Sequence, residues 1–160
     1  MKIDRRTRYA LRMMIDLAEH SNNGDPVGVR AIAARQDIAR RYLEQIAGDL
    51  RKAGLVASKK GQSGGYLLAK PASTIQVAEI VEAVSGPGPM LDCLDDASAC
   101  PRMGTCRSRR MWALVDTLVR SVLHQYHLDD LVENRLPLPP DPPLSLAPQG
   151  CSPGAEGGDP

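Results

Sequence analysis

The chain has 160 residues, enough for one ordinary domain with its own core or for a small domain plus an extension. Its net charge of +1 hides a division: residues 1–70 carry 14 Lys+Arg against 7 Asp+Glu, and residues 71–160 carry 6 against 12, as for a polyanion-binding module joined to one of different purpose. Four Tyr, one Trp and no Phe leave little surface on which unstacked bases could lie, and no apolar run reaches the length of a membrane span, so duplex DNA is expected as partner rather than RNA or a bilayer.

A first helix is expected over 5–20, where Tyr9, Met13 and Leu17 recur at helical spacing beside Ala10, Met14 and Ala18. SNNGDP (21–26) stops it. A short second helix runs from Val29 to Gln36 around Ile32, and QDI turns the chain at Asp37, a residue type that tolerates left-handed backbone. The third helix, about 39–53, carries an apolar stripe of Leu43, Ile46, Ala47 and Leu50, which leaves Arg41, Gln45, Gly48 and Lys52 on the opposite face. Gly54 closes it. LVASKKGQSGGYLLAKP (55–71) then reads as two short strands around a Gly- and Lys-rich tip.

Helix, tight turn, helix and basic hairpin make the pattern of a winged helix-turn-helix, in a chain that is mainly α with one small β hairpin. The third helix would lie in a major groove, with Arg41 and Gln45 as base-edge readers and Lys52 on a phosphate. Lys59 and Lys60 in the hairpin would neutralise phosphates. The Gly-rich GQSGG sits at a hairpin tip, not between a strand and a helix, and no nucleophile–base pair stands out, so no catalytic role is expected.

A fourth helix spans about 75–84, with Ile80, Val81 and Val84 on its apolar side, and GPGP (86–89) ends it. The 20 residues from Gly86 to Thr105 are long for a loop, which points to function. They hold Cys93 and Cys100, with Cys106 just beyond. The opening MKIDRRTRYALR lacks the apolar segment of a secretion signal, so a cytoplasmic setting is expected, in which clustered thiols mean metal or redox chemistry more often than disulfides. The spacing has neither the close pairs of a zinc ribbon nor a common ferredoxin pattern, and so leaves iron, zinc and thiol redox all open.

A fifth helix is expected from near Cys106 to about Gln125, with a heptad-like seam of Met111, Val115, Leu118 and Val122 as a dimer interface. HLDDLVEN (127–134) adds a short last helix. From Pro137 the chain holds eight of its 13 prolines, and Cys151 lies in this stretch as a bystander. The organisation expected is a DNA-binding unit over 1–85, a cysteine loop over 86–105, a dimerisation helix and final helix over 106–135, and a disordered tail over 136–160.

RYALRMMIDLA (8–18), IAARQDIARRYLEQI (32–46), LRKAGLVASKKGQSGGYLLAKP (50–71) and IVEAV (80–84) resemble the Rrf-type (IscR/NsrR/RirA-like) winged-helix transcription regulators over about residues 1–134. The resemblance implies a homodimeric regulator in which Arg40, Arg41, Tyr42, Glu44 and Gln45 face an operator and Lys60 enters a minor groove. It also implies that Cys93, Cys100 and Cys106 hold an iron–sulfur cluster, 2Fe–2S or 4Fe–4S, that senses iron, redox state or nitric oxide. Two departures bear on the fourth ligand: Arg109 stands where IscR-like members carry a histidine, and Arg8 where NsrR-like members carry a carboxylate. Asp4, Asp92, Asp95, Asp96, His124, His127 or a non-protein donor remain as candidates. Ala39 replaces the usual Ser or Thr that starts the third helix, removing a cap worth about 1 kcal/mol.

Overall fold

The structure is a computed structural model that describes residues 3–21, 24–61 and 64–137. The expected tail and Cys151 lie outside the described residues, apart from residues 136 and 137. Helix α1 (Arg5–His20) forms the centre, with Ala10, Met13, Met14 and Leu17 fully buried. The Asp4 carboxylate caps it by accepting the Thr7 N–H at 2.8 Å. Helix α2 (Val29–Gln36) ends at Asp37, whose φ of 49° and ψ of 52° are the left-handed geometry read from its residue type. Helix α3 (Arg40–Lys52) buries Leu43, Ile46, Ala47 and Leu50, the four residues of its expected stripe. It starts at Ala39 without a side-chain cap.

Strands β1 (Val56–Lys59) and β2 (Gly65–Leu68) pair antiparallel, from Val56 opposite Leu68 to Lys59 opposite Gly65. A third segment joins them that the sequence reading did not anticipate. Val27 forms a bridge to Tyr66, donating to its carbonyl at 2.8 Å and accepting from its N–H at 2.9 Å. The bridge ties the α1–α2 connection to the wing. It requires Gly65, because a Cβ there would lie 2.3 Å from the Val27 carbonyl oxygen.

After a 3-10 turn (Ala72–Thr74) comes helix α4 (Val77–Ser85), which packs on α1 and α3. The segment expected as one long loop contains a short helix, α5 (Asp92–Asp95), and a 3-10 turn (Ala97–Ala99). Helix α6 (Ser108–Gln125) lies against α4, and α7 (Leu128–Val132) returns to α1. That return is fixed by Val77 donating to the Tyr126 carbonyl at 3.0 Å and Leu128 donating to that of Ile75 at 2.9 Å. One core runs through α1, α2, α3, α4 and the hairpin, and Leu128 of α7 closes it.

Helix α6 departs from its expected seam. Met111, Leu114, Leu118 and Val122 are the exposed apolar residues of one stripe, spaced three, four and four apart. Val115, expected in the seam, is half-buried at its edge. No helix among the described residues is long and apolar enough to cross a membrane.

Candidate functional site

The outer face of α3 is assembled as the periodicity required. Arg41, Gln45 and Lys52 are exposed, and a Cβ at Gly48 would meet nothing within 4 Å, so the face is open there. Among the described residues the side chains of Arg41 and Gln45 have no hydrogen-bond partner, which leaves their donors and acceptors for a ligand. Arg40 and Glu44 instead pair with each other at 2.8 Å, one turn apart. Tyr42 is half-buried, edge-on to Tyr9 with centroids 5.8 Å apart, while the Arg12 guanidinium lies over Tyr9. Lys52 reaches Asp49 at 3.3 Å, and Asp49 also takes Arg6 of α1. Burial alone would raise the Asp49 carboxyl, but Arg6 and Lys52 hold it below the ordinary carboxylate range. Lys59 and Lys60 are exposed on the wing.

Two groups of this surface escaped sequence reading. Arg5, Tyr9 and Tyr42 flank an open hollow at the uncapped start of α3, which places an α1 cation beside that helix. Elsewhere on α1, the fully buried Asp16 accepts Arg35 at 2.6 and 2.9 Å and Gln36 at 3.0 Å, and so clamps α2 to α1. Desolvation pushes the Asp16 carboxyl up, yet these hydrogen bonds and the Arg35 charge outweigh it and hold it low. No local pattern marks a partner 19 residues away; only the uncapped N-terminus of α3 was legible as a signal.

The three loop cysteines are free thiols, each half-buried. Cys93 lies in α5, Cys100 follows the 3-10 turn, and Cys106 precedes α6. Thiolates suit an iron–sulfur cluster or zinc, so the donor set fits in kind. It is not gathered: among the described residues no three His, Cys, Asp or Glu side chains converge closely enough to hold one metal ion. The Cys106 thiol is held below its ordinary range, first by the Ser108 hydroxyl at 3.3 Å, then by the Arg109 N–H at the start of α6, with Arg102 adding its charge.

Several fourth-ligand candidates already have other partners. Asp4 caps α1, Asp96 accepts the N–H of Ser98 at 2.7 Å, and His124 Nδ1 meets Gln76 Oε1 at 3.1 Å. Arg109 donates from Nε to the Cys93 carbonyl at 3.1 Å, so this position links the loop to α6 through the backbone.

A core-packed helix pair with a left-handed turn, an open reading helix and a Lys-bearing wing define a winged-helix protein. The chain matches, over residues 3–134, the family model described as Rrf2, iron-dependent transcriptional regulator. It therefore belongs to the Rrf2 family of transcription regulators, which agrees with the expected absence of a catalytic role. Protein rrf2 of Nitratidesulfovibrio vulgaris is 37% identical over 134 residues, covering 84% of this chain and 89% of that protein. The HTH-type transcriptional regulator IscR of Yersinia pestis is 38% identical over 135 residues, covering 84% and 81%. The structure of CymR, the global cysteine regulator of B. subtilis, superposes with a TM-score of 0.68 at 30% identity, covering 84% of this chain and 98% of that one.

Proposed function

We propose that this regulator binds an operator as a homodimer and senses iron, redox state or nitric oxide through an iron–sulfur cluster held by Cys93, Cys100 and Cys106. Arg41 and Gln45 read base edges in the major groove, with Arg40, Tyr42 and Glu44 shaping the same face. Lys52, Lys59 and Lys60 contact phosphates, Lys60 from the wing. The stripe of Met111, Leu114, Leu118 and Val122 forms the seam with a second copy, which sets two reading helices about 34 Å apart for successive major grooves. The cluster, when bound, supplies a centre that oxygen or nitric oxide damages and that iron shortage leaves unfilled.

One observation carries this reading. The thiol-bearing loop is hydrogen-bonded to one side of α6, while the other side presents the apolar stripe. The state of the thiols and the geometry of the dimer thus meet in one helix. Anaerobic purification followed by Mössbauer spectroscopy tests the cofactor. Iron in a cluster signature, abolished in C93A, C100A and C106A, is expected; colourless, iron-free protein would contradict it.

A second reading has its own support. A cluster-free regulator of the same fold would use these cysteines as a redox switch or as zinc ligands. The lowered Cys106 thiol, the separation of the three cysteines and the likeness to a cysteine regulator favour it. Zinc in the anaerobic preparation, or a disulfide formed reversibly on oxidation, would establish it.

A further inference from the structure

Three side chains on one face of α6 grip the backbone of the cysteine loop. Arg109 Nε donates to the Cys93 carbonyl at 3.1 Å, Asp116 Oδ1 accepts the Met90 N–H at 2.7 Å, and Arg120 Nη1 donates to the Gly88 carbonyl at 2.7 Å. The residues are seven and four apart, which places all three within about 40° on a helix of 100° per residue. Their targets run in the opposite order, 93, 90, 88, so the loop lies antiparallel to α6.

Asp116 is buried, so its carboxylate depends on the Met90 N–H for compensation. Arg120 also pairs with Glu82 of α4 at 3.3 Å, which carries the grip onto the helix that packs on α1 and α3.

The rest of the loop is held differently. Among the described residues, the hydrogen bonds of 94–105 close within 91–105: Leu94 to Leu91, Asp96 to Asp92, Ala99 and Ser98 to Asp96, Met103 to Cys100, Thr105 to Arg102.

We propose that Arg109, Asp116 and Arg120 are positioning residues that latch residues 88–93 to α6 without any metal, so that Cys93 is the fixed thiol of the site and Cys100 rides on a segment free to move toward it. Gathering the thiols, by whatever they bind, then means closing 97–105, the segment that follows α5, onto an anchored Cys93. The latch face lies about 180° around α6 from the apolar stripe, so closure bears on the helix opposite its exposed apolar side. The role of the site rests on the thiol-loop reading above, but the latch itself does not need a cluster.

Amide hydrogen exchange on the full-length, metal-free protein, read by mass spectrometry, tests it. The Met90 amide, donated to the buried Asp116 carboxylate, is expected to exchange at least about tenfold more slowly than the amides of 98–105, as befits a hydrogen bond to a charged group. R109A and R120A should remove that protection while α1 and α3 keep theirs, which shows that the variants fold. Arg109→Lys, which keeps a donor, should retain it. Exchange of the Met90 amide as fast as the amides of 98–105 in the unaltered protein, or no change at Met90 in R109A and R120A, would overturn the latch. Failure of the lysine variant to retain protection would assign the effect to lost packing and overturn the positioning role. Iron content measured on anaerobically purified protein before its metal is removed reports separately on the cofactor.

Discussion

Arg35 and Gln36 both reach back from α2 to one carboxylate, Asp16, which has no exposed surface. A buried charge that loses its partners is costly, but Arg35 is still about a third exposed, so the lower part of the range for buried pairs applies. D16N should destabilise the fold by about 3 kcal/mol in urea melts. The carboxyl titrates lower in the fold than in the unfolded chain, so its contribution is complete above about pH 4 and fades as pH falls toward the folded value. Acid stability should therefore drop less in D16N than in the parent below that pH. Ala39 gives the opposite case, an uncapped start to α3 that the sequence shows directly. A39S should add about 1 kcal/mol by the same measurement. The two residues mark where sequence reading succeeds at this scale. A missing cap is a local fact of adjacent residues, whereas the partnership of Asp16 with Arg35 depends on how two helices cross.

At the scale of elements, long periodic segments were legible. The bounds read for α1 and α2 agree with the structure, and α3 agrees to within a residue at each end, because their apolar spacing and turn residues point the same way. Short or irregular pieces were not legible. Helix α5 has four residues, too few to show a period, and the Val27 bridge is a single pairing with no pattern behind it. Of the four residues expected as a seam on α6, Met111, Leu118 and Val122 lie in its exposed apolar stripe and Val115 does not. Leu114 and Val115 are neighbours in an apolar run, and only packing against α4 decides which one turns outward. That decision has a consequence. L118E places a charge at the centre of the exposed stripe, where it touches no core residue. Sedimentation should show a monomer that keeps its helical circular dichroism, and an unchanged dimer would remove α6 as the seam.

At the scale of the whole molecule, the basic half seen in the composition folds into α1, α2, α3 and the hairpin, and the acidic half into α4, a cysteine-bearing arm, α6 and α7. The donor types of the arm were legible, but their arrangement was not, since three cysteines in sequence do not say which segment is anchored. The DNA half should show the salt dependence of phosphate neutralisation. K60A should weaken operator binding and lower the salt slope by about one, whereas Q45A should chiefly relax base preference.

The account as a whole stands on the thiol loop changing what the reading helices do. The most direct measurement is operator affinity at fixed salt, by fluorescence anisotropy, on anaerobically prepared protein before and after removal of its metal, using a site selected from random DNA by each form. At least about a tenfold difference in Kd between the two forms, absent in C93A, is the expected result. Equal affinity of both forms for every selected site would contradict it.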